Sequence, residues 1–302
     1  MAYSVSALTS YVAENKDVIL RDIVLGGEGG FTVEKLRKQL GVKTSERLHP
    51  MNVTTSLQEA KGCGFSADGS TEISERLVET AQAKVNDSWC EEDLLSTFAE
   101  YTIDIQAGKE KLPFEAEIMG QVVRNINKEV ERQIWVGDKN NSDLIDGFVT
   151  IAAGADSAST ITGQTASGAS AYEAVLDTLA LIPEEILDDA VIFVSPAIFR
   201  EYIQDLVKAN LYHYDPNNGD SEEMFIPGSN VKVRKTFGLK GSDYLYASTY
   251  DNMVYAADLL NAKEELKVWF SDDNDETRLK VRFNFGVQTL FPDAVVLVEK
   301  QA

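Results

Sequence analysis

Branched apolar residues recur at every fourth position between Pro113 and Val136, and no other feature of the sequence constrains the fold as strongly. The repeat consists of Ile118, Val122, Ile126, Val130 and Ile134. This spacing predicts a helix over 113–136, about 23 residues and roughly 35 Å long, with one apolar face. Pro113 suits the first turn of this helix, and Gly137 suits its C-terminal end.

The opposite face of the predicted helix is charged and balanced in sign. It carries Glu115, Glu117, Arg124, Lys128, Glu129, Glu131 and Arg132. We expect these side chains to be solvated, because charged residues are rarely buried without a partner. A long helix with one apolar and one charged face predicts a spine on which other elements pack.

Residues 44–84 have a different pattern, with two polar and weakly alternating arms around the turn-rich stretch 61–70. This pattern predicts a long β-hairpin. Its arms carry too few large apolar residues to bury a core of their own, and a two-stranded ribbon is marginal alone in water. We therefore expect the ribbon to lie on another body, a neighbouring subunit.

The N-terminal residues predict a helical stretch, an interruption and a second short helix. Val5, Leu8 and Val12 have helical spacing, and four glycines then follow within five residues, at Gly26, Gly27, Gly29 and Gly30. A glycine cluster of this kind is typical of a hinge or flexible arm. It lacks the lysine and the preceding strand that a phosphate-binding loop requires.

The remaining chain mixes helices and strands, which predicts an α+β fold. Ser170 and Glu173 form a capping box before a helix, and Val191 to Val194 is a short buried strand. Ser195-Pro196 then supplies an N-cap and a first-turn proline. Apolar residues alternate with polar ones from Leu279 to Val287, which predicts a strand with one buried and one wet face.

Composition excludes several classes of protein. Net charge is −21 and the sequence pI is about 4.5, so a free-standing nucleic-acid binder is excluded, because that class needs a basic surface. The charge is uneven: residues 1–50 hold seven bases and six acids, whereas residues 184–225 hold ten acids and two bases. We expect the acidic middle to face solvent. No long apolar run or signal peptide occurs, so we expect synthesis in a cytosol and no membrane partner.

No set of residues predicts catalysis, a cofactor or a metal site. The two histidines, His49 and His213, lack metal-binding spacing, and Ser195 lacks the glycines of a nucleophile elbow. Cys63 and Cys90 have no partner motif; Cys90 lies before two glutamates, which disfavour a reactive thiolate, and we expect it in the core. We therefore predict a protein that is not an enzyme and has no catalytic, cofactor-binding or metal-binding residue.

Taken in order, these features resemble the major capsid protein of tailed bacteriophages, with its Hong Kong ninety-seven-like fold. The likeness is strongest at residues 191–197, Val-Ile-Phe-Val-Ser-Pro-Ala, which look like the strand-to-helix step of that family's axial domain. It is also strong at Val268-Trp269-Phe270, at 282–286 and at 291–296, which look like the family's closing segment. The likeness covers essentially the whole chain and depends on the order of the motifs.

The resemblance implies a division of the chain into four parts. Residues 1–43 would be the N-terminal arm, and residues 44–84 the extended loop. Residues 85–140 and 264–302 would form the peripheral domain with the spine helix, and residues 141–263 the axial domain.

The resemblance also implies function and partners. The chain would assemble with itself into hexamers and pentamers of an icosahedral head that encloses double-stranded DNA without sequence-specific contacts. It would be a virion protein made in the cytoplasm of a bacterial host, with scaffolding, portal and decoration proteins as possible partners. Lys61 at the ribbon tip is the candidate for the covalent cross-link that some members form, although a solvated lysine is the commoner state.

Two alternatives stay open at this point. An encapsulin, the shell of a bacterial nanocompartment, has the same fold and encloses a protein cargo. An acidic metabolic enzyme is the third interpretation, and it predicts small oligomers rather than large particles.

Overall fold

The computed structural model describes residues 5–26, 31–58, 68–90, 114–154, 159–165, 170–211, 222–258, 265–271, 273–274 and 276–301. The helices are α1 (Val5–Glu14), α2 (Lys16–Leu25), α3 (Phe114–Val136), α4 (Phe148–Ala153), α5 (Ala171–Leu181) and α6 (Pro196–Lys208). The strands are β1 (Arg37–Leu40), β2 (Ser45–Leu48), β3 (Met51–Thr54), β4 (Ser70–Ile73), β5 (Arg76–Glu79), β6 (Ala81–Cys90), β7 (Ile161–Gln164), β8 (Val191–Val194), β9 (Glu223–Phe225), β10 (Lys232–Lys235), β11 (Tyr244–Ser248), β12 (Met253–Ala257), β13 (Glu265–Ser271), β14 (Glu276–Thr289) and β15 (Val296–Glu299). Within these ranges no helix is both long and apolar enough to cross a bilayer.

The first sheet and the helices on its inner face form the larger core. Its strand order is β1-β12-β14-β13, and β6 also pairs with the long β14 along ten residues. One face of β14 buries Leu279, Val281, Phe283 and Phe285 against α1, α2 and α3. Alternation along β14 thus places an apolar row inward, as period-two patterning predicts.

The second sheet forms a separate core with α5 and α6. Its strand order is β7-β15-β11-β8-β10-β9, with β10 parallel to β8 and β7 parallel to β15. All four residues of β8 are buried, as predicted. The predicted caps are confirmed as well: Ser170 and Glu173 form a capping box on α5, and the Ser195 hydroxyl accepts from the Ile198 N–H at 3.3 Å on α6.

The spine helix predicted over 113–136 is confirmed as α3, with Pro113 outside the described residues. Burial of its apolar repeat increases along the helix: Ile118 and Val122 are half-buried, whereas Ile126, Val130 and Ile134 are buried. The expectation that its charged face is solvated is wrong at one position. Glu131 is 1% exposed, because the segment after the glycine cluster and the segment after β10 both cover it.

The N-terminal segment is packed rather than free, which corrects the flexible arm expected from the glycines. The predicted helical stretch is two helices, α1 and α2, which bury Leu8, Val12 and Ile23 in the larger core. Gly26 ends α2 in the left-handed conformation at φ 81°, and its N–H donates to the Asp22 carbonyl. The second short helix is only the 3-10 turn Thr32–Glu34, after which β1 pairs in parallel with β12.

Trp135, near the C-terminal end of α3, joins the larger core to one face of the second sheet. Its indole is fully buried and packs on Phe148 of α4 at a centroid distance of 5.5 Å. It also packs on two rings of the second sheet, Phe193 at 4.8 Å and Tyr246 at 5.5 Å. Gly238 passes so close that a side chain there would overlap the indole. The end of the spine is therefore wedged against the second sheet.

Glu131, one turn before Trp135, ties three distant segments together. Its carboxylate accepts from the Thr32 N–H at 3.1 Å and from the Thr32 hydroxyl, from the Thr236 hydroxyl at 2.8 Å, and from the Trp135 indole N–H at 3.2 Å. Burial raises the pKa of Glu131, and these hydrogen bonds act in the opposite direction. The carboxylate satisfies donors that would otherwise be buried without an acceptor.

Replacing Glu131 with alanine should lower the free energy of unfolding by about 3 kcal/mol, because buried donors lose their acceptor and a cavity remains. Urea unfolding followed by circular dichroism measures the change. Glu129→Ala is the matched control, because Glu129 is on the same helix but half-exposed beside Arg132, and should cost less than about 1 kcal/mol. Equal losses in the two variants would contradict the assigned role of Glu131.

Candidate assembly surface

The predicted hairpin is confirmed in its arms only as far as Glu79, because residues 81–84, which the prediction included, belong to β6 and pair with β14 in the first sheet. In two consecutive antiparallel ladders, β2 pairs with β5 and β3 pairs with β4, so the two arms run side by side from Ser45 to Thr54 and from Ser70 to Glu79. The tip, residues 59–67, lies outside the described residues, and Lys61 lies there. We call the described arms, residues 45–54 and 70–79, the ribbon.

The base of the ribbon is anchored to the first sheet. Val78 is fully buried in a small cluster with Val42 and Ala256, and Leu48 packs against it. Arg76 donates from Nε to the Thr289 carbonyl at 3.1 Å. The ribbon therefore leaves the body of the molecule in a defined direction.

The chain leading into and out of the ribbon also covers β14, which changes the predicted wet face of that strand. Asn284 and Gly286 were expected on the solvated side, and both are buried. The Asn284 amide donates to the Lys43 carbonyl at 3.1 Å, and a Cβ on Gly286 would overlap the Glu79 carbonyl oxygen. The regular alternation of buried and partly exposed residues along β14 therefore ends at Arg282. Gly286 has no side chain, which allows the backbone of Glu79 to pass close to it.

The distal half of the ribbon has one apolar and one polar face. Register pairs Met51 with Ile73 and Val53 with Thr71, and such directly opposed residues share a face. Met51 is 58% exposed, Val53 53% and Ile73 68%. The other face carries Asn52, Thr54, Ser70 and Glu72. Apolar side chains thus line one side of a projecting ribbon, and no residue in the described part of the chain covers them.

Residues considered for chemistry are not brought together. Ser195 is buried as a helix cap, and His49 is exposed between β2 and β3. Cys90 is exposed at the end of β6, so its expected core position is wrong: it lies on the outer, solvated row of the sheet opposite Glu276. Cys63 and His213 lie outside the described residues. Across the described ranges, no group of three or more metal-ligating side chains forms.

A concave surface lies between the N-terminal helices and α3. This groove has a volume of about 530 Å³ and is lined on its apolar side by Val18, Met119, Val123 and Phe237. Glu131 borders the groove, but its carboxylate already accepts hydrogen bonds from the Thr32 N–H and the Trp135 indole N–H. Sequence patterning missed the groove, because it forms only when α1 and α2 pack across the spine.

An ion-pair cluster on the second sheet holds the end of the N-terminal segment in place. Lys35, just after the 3-10 turn, pairs with Glu223 of β9, and Arg234 of β10 pairs with the same carboxylate at 3.0 Å. The Arg234 side chain is 3% exposed and also donates to the Tyr250 hydroxyl at 2.9 Å. Glu223 is thus an exception to the expectation that the acidic middle of the chain faces solvent.

Comparison with known proteins shows similarity in structure but not in sequence. No family model and no curated protein matches the chain. Among solved structures, a satellite phage P4 procapsid that includes the size-determination (Sid) protein matches with a TM-score of 0.63 and 11% identity, over 97% of this chain and 95% of that one. The capsid of an empty GTA particle matches with a TM-score of 0.58 and 12% identity, over 96% and 98% of the two chains.

A particle from an archaeon also matches. The virus-like particle from Pyrococcus furiosus gives a TM-score of 0.52 at 11% identity, over 95% of this chain and 98% of that one. At such low identities these likenesses establish a shared fold and nothing further. The α+β class and the capsid-protein fold expected from the sequence are confirmed.

Adding a methyl group at Gly286 should loosen the ribbon base. We expect Gly286→Ala to lower the free energy of unfolding by about 1–3 kcal/mol, because the Cβ collides with the Glu79 carbonyl and the backbones must separate. Gly120→Ala on α3 is the control: its Cβ meets open space, so it should raise stability by about 1 kcal/mol. Urea midpoints measure both, and a neutral Gly286→Ala would refute the close approach.

Proposed function

We propose that this chain, which has the fold of phage major capsid proteins, is the subunit of an icosahedral shell. In this proposal copies form hexamers and pentamers through head-to-tail contacts, and the closed head encloses the double-stranded DNA of a tailed phage. The observation that carries the proposal is the projecting ribbon with its bare apolar face. A monomer gains nothing from such a ribbon, whereas a copy that lies beside it buries that face.

The energies involved suit an assembly made from many weak contacts. Met51, Val53 and Ile73 are each more than half exposed. Burying what remains exposed of each side chain is worth roughly 1 kcal/mol. Leu57, beyond β3, is fully exposed and adds to this apolar surface. One ribbon therefore contributes a few kcal/mol, too little for a stable dimer but sufficient when each subunit in a closed shell makes and receives the contact.

Under this proposal the four parts of the chain have separate tasks. The N-terminal arm is residues 1–43 and the extended loop is residues 44–84. The peripheral domain, residues 85–140 and 264–302, includes the spine helix, and the axial domain is residues 141–263. Two distinct hydrophobic cores support a two-domain body. The first sheet also recruits β1 and β12 from outside the peripheral segments.

The proposal extends to partners and location. The protein would be a virion component made in the cytoplasm of a bacterial host and would act without catalysis. Scaffolding, portal and decoration proteins are its candidate partners. Its net charge of −21 suits a wall that holds DNA without specific contacts. Cross-linking through Lys61 would appear as a ladder above the monomer when particles are boiled in detergent.

An encapsulin-type compartment shell is the second candidate. The observation that favours it is the match to the virus-like particle from Pyrococcus furiosus over nearly the whole chain. The two candidates share the subunit and differ in what the shell contains.

Expression of the full chain should give megadalton particles. Size-exclusion chromatography with electron microscopy of the leading peak measures this, and particles grown in the native host identify the content. Packaged double-stranded DNA supports the phage head, whereas a protein cargo supports the compartment. A homogeneous small oligomer under all assembly conditions would contradict both candidates and favour the metabolic enzyme.

A charge on the apolar face of the ribbon should prevent assembly without unfolding the subunit. We expect Val53→Asp to reduce particle yield at least tenfold, because the carboxylate must be desolvated in the contact. Its effect on the free energy of unfolding should stay within about 0.5 kcal/mol, because Val53 is exposed in the subunit. Asn52→Asp adds the same charge on the opposite face and should assemble normally. Normal shells from Val53→Asp would overturn the proposed contact.

A further inference from the structure

The groove between the N-terminal helices and α3 has the size and lining of a small-molecule site. Its volume of about 530 Å³ lies within the range of roughly 300–1,000 Å³ that holds one small molecule. Val18 of α2 and Phe237 line it and are 50% and 54% exposed. Met119 and Val123 contribute the apolar lining on α3. Apolar side chains thus surround a concave space that no described residue occupies.

A glycine in the spine helix widens this groove. Gly120 lies on the lining, and a Cβ built on it would meet none of the described residues within 4 Å. Among those residues no second backbone passes close to Gly120, whereas one does at Gly286. Glycine nonetheless weakens a helix interior relative to alanine. A residue that is unfavourable for its own element, with no packing reason, is typical of a functional site.

A buried acceptor on the same lining lacks a donor. Asn127 lies about 10 Å beyond Gly120 along the helix axis and is 5% exposed. Its Nδ2 donates to the Asp22 carbonyl at 3.1 Å, whereas its Oδ1 has no hydrogen-bond partner in the part of the chain that the structure describes. Nearly all buried polar atoms in folded proteins are paired, because an unpaired one is unfavourable. A ligand that packs against Asn127 with an N–H or O–H group would supply the missing donor.

Positive charge lies beside this acceptor. Arg124 and Lys128 line the groove one turn apart on α3, are exposed, and have no ion-pair partner within the described ranges. Like charges at this spacing weaken a helix, and a bound anion would offset their repulsion. The acids of the lining already interact with other groups: Asp22 with Arg21, Glu222 with Arg234, and Glu131 with its own hydrogen-bond donors. The groove therefore favours an anionic group over a cationic one.

We propose that this groove binds an amphipathic organic anion, a small molecule with an apolar body, one N–H or O–H donor and a negatively charged end. The apolar body packs on Val123 in the space that Gly120 leaves open. The donor faces Asn127 Oδ1, and the anionic end lies beside Arg124 and Lys128. This site goes beyond the shell function and does not depend on it, because the groove forms within one subunit. A helix of a partner protein or of a second copy is less favoured, because one helical turn, about 10–12 Å across, already takes roughly 500 Å³.

Two compounds that differ in a single group test the role of Asn127. N-octanoylglycine has an acyl chain, an amide N–H and a carboxylate, and O-octanoylglycolic acid has an ester oxygen in place of the N–H. We expect the amide to bind the full chain at least tenfold more tightly by isothermal titration calorimetry, because only the amide offers a donor to Oδ1. In Asn127→Leu the two compounds should bind alike. Equal affinities for the parent chain, or no binding of the amide up to its solubility limit, would overturn the proposal.

Variants of the lining locate the bound compound. We expect Gly120→Leu to abolish binding of N-octanoylglycine without lowering the urea midpoint, because leucine fills the groove and favours the helix. Arg124→Gln with Lys128→Gln should weaken binding of both compounds at least fivefold, because the carboxylate loses its cations. The control, Lys208→Gln with Lys240→Gln, removes the same charge at exposed positions elsewhere and should bind like the parent chain. Unchanged binding in Gly120→Leu would overturn the proposal.

Particle yield separates this inference from the proposed shell function. We expect Gly120→Leu to assemble like the parent chain, because the groove holds a small molecule rather than a neighbouring subunit. If the parent chain binds neither compound and Gly120→Leu forms few particles, the groove receives a second copy. That result would overturn the ligand site and leave the shell function intact.

Discussion

The end of the spine helix, where a buried glutamate and a buried tryptophan lie one turn apart, is the interaction on which the rest of the structure depends. Trp135 fills the space between α3 and the second sheet, and Glu131 accepts from Thr32 and Thr236. These contacts join the N-terminal segment, the spine and the loop after β10. The two Glu131 contacts link residues that are 99 and 105 positions apart in the sequence, so they close long loops of the chain at one place.

The packed body of the molecule holds the base of the ribbon. The ribbon base is held by Val78, by Arg76 and by the close approach of Gly286, so the distal half projects at a defined angle. A projecting apolar surface would be an aggregation liability on a monomer. On a shell subunit the same surface would make assembly favourable, because its apolar side chains leave water only when a second copy covers them.

Electrostatics act on two scales in this molecule. The overall charge of −21 opposes close approach of copies, and it excludes the broad phosphate contacts of a nucleic-acid binder. Locally, the signs are sorted: Lys35 and Arg234 enclose Glu223, while the outer row of β14 gathers basic side chains. The net charge is thus a poor guide to the local sign of the surface, which depends on which side chains the fold brings together.

Features that depend on interactions between residues close together in the chain could be predicted from the sequence. The spine helix, the caps at Ser170 and Ser195, the buried strand β8 and the arms of the hairpin all follow from periodicity and from side chains that bond to nearby backbone. Those signals act over a few residues, so no knowledge of distant segments is required.

Features that depend on which distant segment covers a residue could not be predicted from the sequence. Glu131 has the pattern of a solvated residue and is buried because residues about 100 positions away fold over it; likewise the outer face of β14 ends at Asn284 because the ribbon base crosses there. Burial is a property of the packed molecule. The same polar side chain is exposed to solvent or buried depending on whether a segment from a distant part of the chain packs over it.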